Sequence, residues 1–369
     1  MNADWVKRLQ RSCLPVVALF VCLIILSGCK AQSFVSQNTY VDVNEHDETY
    51  TVTANSDIVK VTNRLSLKNA VLNLIQDGIT EAVIHTDIYT DNMTESIGQV
   101  FREITNVSPV GCYAVDSLTY EYARVVNYYE IYLHITYRHT TEEINSIIYL
   151  NDSNSIRAEL YQALKNYQTE LVLNIGTYED CDVQSMADDF FELYPGLVLC
   201  HPNVKVSEYP EGGAQRILEI KISHADSSEQ CRLLVEEAND KMTSIVSKYS
   251  SIDQEKAVKL AYYQVCRCAD YVLSSDAENP YADSIYGVLV GKCGTSFGFA
   301  RTYQQLLLKL GINCTLVEGM LDGYSVTWCK VSIGDHVFYV DPGRAAETNN
   351  MTRYKMEPME LIEMGYQIG

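Results

Sequence analysis

Positive charge is scarce in this chain. Of its 369 residues 28 are Lys or Arg, against 48 Asp or Glu, which leaves a formal net charge of −20. So acidic a chain is repelled by phosphate backbones and anionic lipid headgroups, and this excludes nucleic acid as a partner. Long apolar runs are also missing: the run at residues 14–26 (LPVVALFVCLIIL) is shorter than the ~20 residues a spanning helix needs. Metal-knuckle and redox spacings are absent, since Cys266-Arg-Cys268 is one residue too tight for a CxxC pair. No metal and no cofactor is therefore expected. Beyond Cys13, Cys22 and Cys29 there are nine cysteines, and an odd number cannot all pair within one chain. They imply free thiols or a reducing environment, and by default read as small buried apolar residues.

What is present begins with Lys7, Arg8 and Arg11 ahead of that short apolar run, the pattern of a signal-peptide core, with a short membrane anchor as the alternative. Leu26-Ser27-Gly28-Cys29 follows directly and resembles the lipobox of bacterial lipoproteins. The resemblance implies cleavage before Cys29, lipid on Cys29, and an extracytoplasmic protein held at the cell surface by more than one acyl chain. Removing residues 1–28 takes away three positive groups and Asp4, moving the net charge from −20 to −22. Residues 29–57 are polar, lack a helical period and read as a flexible tether.

Two later stretches resemble each other. Residues 67–77 carry apolar groups at helical spacing before Thr80-Glu81-Ala82-Val83-Ile84, and residues 157–166 do the same before Thr169-Glu170-Leu171-Val172-Leu173. A second helical stretch follows in each (93–104 and 183–193), then two strand-like runs: 117–126 and 129–138, and 203–209 and 216–224, the latter pair turning at Gly212-Gly213. The offset of about 85–90 residues suits two small domains in tandem rather than a solenoid. The expectation is two α-β-α-β-β modules, 58–145 and 146–226, with chance likeness as the alternative. Neither holds a catalytic constellation. His139 and His224 sit at matching positions after the last strands. Tyr120, Tyr122, Tyr128, Tyr129, Tyr132 and Tyr137 would form either a recognition surface or half-buried strand faces.

From residue 227 to 369 the pattern changes. Helical periods cover 229–248, 254–273 and 296–310, and strands are expected at 312–316, 324–333 and 336–340, the last two joined at Gly334-Asp335. The order helix, YG-L, loop, helix, LGI, strand, strand, VDP is similar to that of bacterial transglutaminase-like domains, which share a papain-type Cys-His-Asp logic. The resemblance covers about residues 250–345. The family reads YGALVNGKGVCQGYA where this chain reads YGVLVGKCGTSFGFA from Tyr286 to Ala300. The nucleophile position thereby falls on Ser296. The family's H-A-W strand becomes Val326-Thr327-Trp328, and Asp341 of Val340-Asp341-Pro342 keeps the third place.

The internal repeat and the resemblance together imply an α+β fold: two α-β-α-β-β modules followed by a transglutaminase-like helix-plus-antiparallel-sheet domain. It also implies lost chemistry. A cysteine at a helix N-terminus is activated by the dipole and a neighbouring imidazole, whereas serine ionises less readily and needs a base that valine cannot supply. Ser296 has another use as a helix cap. An enzyme would need substitutes: Cys293, three residues earlier, and His336, which alternation places on the face opposite Asp341. The reading is a catalytically inactive surface lipoprotein binding a peptide, protein or cell-wall ligand. The competing readings are a transamidase or thiol peptidase with a relocated nucleophile, and a passive spacer.

Overall fold

The computed structural model describes residues 58–88, 92–276 and 278–368. The expected signal peptide, Cys29 and the expected tether at 29–57 lie outside the described residues.

The first layer starts with strand β1 (Ile58–Val61), helix α1 (Arg64–Gln76) and strand β2 (Glu81–Thr86), followed by α2 (Met93–Asn106) and α3 (Pro109–Ala114). A hairpin, β3 (Val115–Val125) and β4 (Tyr128–Tyr137), completes it. The sheet order is β1-β2-β4-β3, with the first pair parallel and the others antiparallel. α2 forms because Asn92 caps it through the Glu95 N–H and because Ile97, Val100, Phe101 and Ile104 recur on one face. That face meets Ile84, Ile131, Leu133 and Ile135 of the sheet in one buried cluster.

The second layer runs through α4 (Thr141–Asn145), β5 (Ile148–Asp152), α5 (Ile156–Lys165), β6 (Glu170–Thr177), α6 (Val183–Leu193), β7 (Asn203–Tyr209) and β8 (Arg216–Ser223). Its order is β5-β6-β8-β7, with the same parallel first pair and antiparallel remainder as the first sheet. Each layer thus opens with a strand that the α-β-α-β-β expectation lacks. β1 and β5 are short edge strands, four and five residues long, whose pairing is set by a distant partner. His139 stacks on Tyr113 at 3.9 Å, and His224 meets the Gln168 carbonyl at 2.9 Å, so both histidines have local packing or bonding partners. Of the tyrosines, Tyr122 and Tyr132 are exposed and the other four half-buried.

The third part holds the long helices α7 (Ser228–Tyr249) and α8 (Gln254–Cys266), the two-residue strand β9 (Asp270–Tyr271), α9 (Ile285–Leu289), β10 (Cys293–Gly294) and α10 (Ser296–Lys309). A sheet follows: β11 (Asn313–Leu321), β12 (Tyr324–Ile333) and β13 (His336–Val340). Then come α11 (Pro342–Thr348), α12 (Pro358–Glu363) and β14 (Gln367–Ile368), giving the order β13-β12-β11-β14. α8 stops at Cys266 rather than 273, because the chain beyond it pairs in parallel with β10. The β11–β12 turn works because Asp322 and Gly323 both take positive φ, 53° and 84°, as a two-residue hairpin requires. The sheet divides two cores. Cys329, Val331, Phe338 and Val340 face α8 and α10, while Val326 and Trp328 face Leu321, Met356, Leu361 and Tyr366. This mixture of helical layers and largely antiparallel sheets is an α+β fold.

Candidate functional site

α10 begins where the sequence places it, but the cap is Thr295, whose hydroxyl accepts the Gly298 N–H at 3.2 Å. Ser296 is the first helical residue and does not act as the cap; its Oγ accepts the Thr327 N–H at 3.3 Å instead. Thr295 is available as a cap because its own hydroxyl donates to Asp283. Gly298 lets this turn lie flat against the preceding loop: a Cβ there would fall 2.1 Å from the Ala282 carbonyl oxygen. The Ser296 side chain also lies within hydrogen-bonding reach of Tyr271, whose phenol burial pushes up to about 12.

Of the three positions assigned to a triad by resemblance, the fold sets Ser296 and Asp341 close together, with β12 passing Ser296 at Thr327. Ser296 touches Thr327, the neighbour of Val326 on β12. A Cβ added to Gly343 would sit 3.1 Å from the Ser296 Cα and 3.5 Å from Asp341 Oδ1, so Gly343 lies between those residues. Val326 is buried among Leu321, Trp328, Met356, Leu361 and Tyr366. Its side chain packs on the sheet face away from α10, so the group that β12 offers Ser296 is the Thr327 N–H.

Asp341 is buried and caps α11 by accepting the Arg344 N–H at 2.8 Å. Its other oxygen accepts the Tyr366 hydroxyl at 2.7 Å. Tyr366 stands edge-on to Trp328, with ring centroids 4.9 Å apart, and is delivered there by β14, which pairs with β11. A carboxylate that in a Cys-His-Asp site would orient imidazole is thus held by a phenol. Sequence reasoning missed Tyr366 and Tyr271, and nothing in their local sequence marks them.

Burial raises the Asp341 carboxyl above its ordinary 3.8, against the lowering effects of the Arg344 N–H, the Tyr366 hydroxyl and the Arg353 and Arg344 charges. A folded pKa above the unfolded one means this group's contribution to stability is complete below about 3.8 and is lost as pH rises through the folded value. Relative to an Asp341→Asn variant, the wild type should therefore lose stability as pH is raised above 3.8. Denaturant melts of both proteins across that range test this; a difference independent of pH would contradict it.

The substitutes for an enzyme do not meet. Cys293 lies on β10 opposite Asp270, and burial together with that carboxylate raises its thiol pKa, the reverse of what a nucleophile needs. His336 is half-exposed at the start of β13, 3.8 Å from the Glu357 carboxylate and edge-on to Phe338. No group of three or more His, Cys, Asp or Glu side chains among the described residues could hold a metal ion.

No family model matches the chain, and no curated protein does. Among solved structures, the chain is similar to a TGase at 9% identity, covering 66% of this chain and 68% of that one with a TM-score of 0.28. It is similar to a candidate cysteine protease from Cytophaga hutchinsonii at 9% identity, covering 41% and 70% with a TM-score of 0.24. A third likeness is to a candidate protease from Parabacteroides distasonis, at 13% identity, 46% and 40% coverage and a TM-score of 0.20.

Proposed function

We propose that this protein is a bacterial surface lipoprotein whose transglutaminase-like part binds a peptide, protein or cell-wall ligand without cutting or joining it. The observation that carries the reading is the state of the three triad-equivalent positions. Ser296 is tied to a backbone N–H, Val326 offers no base, and Asp341 is held by Tyr366. None of the three positions supplies an imidazole to take and return a proton. The reading is tested by turnover: full-length protein should neither transfer a labelled amine nor cleave peptides. The same proposal takes residues 58–145 and 146–226 as duplicated modules, which the common strand order of their sheets supports.

Anchoring is the part of the proposal with the most direct test. The LSGC sequence after a short apolar run supports lipid attachment at Cys29. A single acyl chain binds membranes only marginally, so stable retention would need two or more. Replacing Cys29→Ala should leave the signal uncleaved or release the protein from the membrane fraction. Fractionation with mass measurement of the N-terminus reads both. A variant still processed and still membrane-bound would remove the lipoprotein assignment.

A further inference from the structure

Arg301 lies on α10 one turn beyond Phe297 and is 2% exposed. Its guanidinium carbon stands 4.0 Å from the ring centroid of Phe191 on α6 and 5.3 Å from that of Phe297. Nη1 and Nη2 are both enclosed, and neither has a hydrogen-bond partner among the described residues. Two carboxylates act on it from nearby, Glu192 and Asp283, but neither is bonded to it, and Asp283 accepts the Thr295 hydroxyl. Burial lowers the guanidinium pKa to about 10, which still leaves it charged at neutral pH. An enclosed cation with unfilled N–H donors is costly unless something fills them.

We propose that Arg301 is the receptor for a carboxylate, carried by a monoanionic ligand with an apolar body and seated at the first turn of α10 between Phe297 and Phe191. Long side chains on a helix lean toward its N-terminus, which brings the Arg301 guanidinium to the level of Phe297. The positive end of the helix adds to the field there. A guanidinium is a planar fork that a carboxylate matches with two parallel bonds. Phe191 and Phe297 stack with centroids 6.0 Å apart, so an apolar body takes up the place of the Phe297 ring beside Phe191. Glu192 and Asp283 oppose a dianionic phosphate more strongly than a single carboxylate, which the guanidinium would neutralise. Phe297 is half-buried while Phe191 is fully buried, so the ligand enters only if the Phe297 ring swings aside.

The assignment deepens the binding reading given above and rests on it for the role of this end of α10. Thermal unfolding of the full-length protein is followed with phenylacetate and with its neutral isostere phenylacetamide, at matched ionic strength. Phenylacetate in excess should raise the midpoint by roughly 2–4 °C, and phenylacetamide should not. An Arg301→Met variant keeps the length and loses the charge, so its own midpoint should hold or rise, while the carboxylate increment disappears. Equal effects of acid and amide, or an increment that survives in Arg301→Met, would overturn the assignment. If that variant does not fold, the ¹⁵N-arginine resonances of the wild type decide: an enclosed guanidinium signal must move with phenylacetate and stay still with the amide. Turnover in an amine-transfer assay would overturn the inactive reading and leave this result standing. A missing carboxylate effect would remove the Arg301 site alone.

Discussion

Purified full-length protein is expected to incorporate no labelled amine into a glutamine-rich acceptor at neutral pH, to cleave no peptide, and to take no label from a thiol-directed active-site probe. Removing acid–base help alone costs ~10²–10⁴ in rate, and removing the nucleophile as well closes the covalent route. Ser296 keeps its proton because the group next to it on β12 is a backbone N–H, a donor rather than an acceptor. Val326 sits in an aliphatic and aromatic cluster. Cys293, the nearest thiol in sequence, is pushed toward its protonated form by burial and by Asp270. Turnover abolished by Ser296→Ala or Cys293→Ala would overturn this account. The converse experiment is harder than a two-residue exchange. Ser296→Cys with Val326→His would meet Asp341 already engaged by Tyr366, so Tyr366→Ala must be added to free the carboxylate. Restored probe labelling in the triple variant and not in the double one is the expected order.

The second large effect concerns stability. Trp328→Ala should destabilise the protein by about 3–5 kcal/mol, the range for deleting a fully buried large aromatic side chain. Trp328 has no exposed surface and packs against Val326, Leu321, Met356, Leu361 and Tyr366. Its ring also backs Gly319, where a Cβ would come within 2.6 Å of it, so the indole fills the space under the β11–β14 pair. Losing it removes the surface on which Tyr366 stands. Tyr366→Phe is the control: it keeps the ring and deletes one bond to a carboxylate, a loss of about 1.5–3 kcal/mol. Denaturant midpoints at constant m-value measure both. Equal losses in the two variants would show that the hydroxyl bond, rather than the packing, holds this corner.

Much of the third part is legible in the sequence. The apolar spacing of residues 296–310 matches α10, and the alternation of 324–333 and 336–340 matches β12 and β13 to the residue. Local patterns suffice there because each element has one wet face and one buried face, so burial is written into the period. The closeness of Ser296 to Asp341 and to β12 at Thr327 follows from the same order of elements. The period over 254–273 overruns the helix for the same reason: it continues past Cys266, but the backbone there is taken by a strand pairing 23 residues away. Periodicity cannot register a competing partner at that distance.

What tertiary structure alone decided is who occupies each partner's place. β1, β5 and β14 are edge strands of two to five residues, too short to carry a period, and each exists because another strand offers it a row of N–H and C=O groups. Tyr366 is 25 residues from Asp341 in sequence, yet its hydroxyl takes the carboxylate because β14 docks beside Gly319. Thr295 rather than Ser296 caps α10 because the cap residue must still be extended, with φ −83° and ψ 174°, and the next residue is already helical. Arg301 looks like one more solvated charge on a helix until Phe191 of a separate layer covers it. The sequence by itself determined which residues lie along each element. Contacts between residues far apart in the chain determined which side chains stand beside Ser296 and Asp341, because burial and hydrogen-bond pairing are settled only when the layers meet.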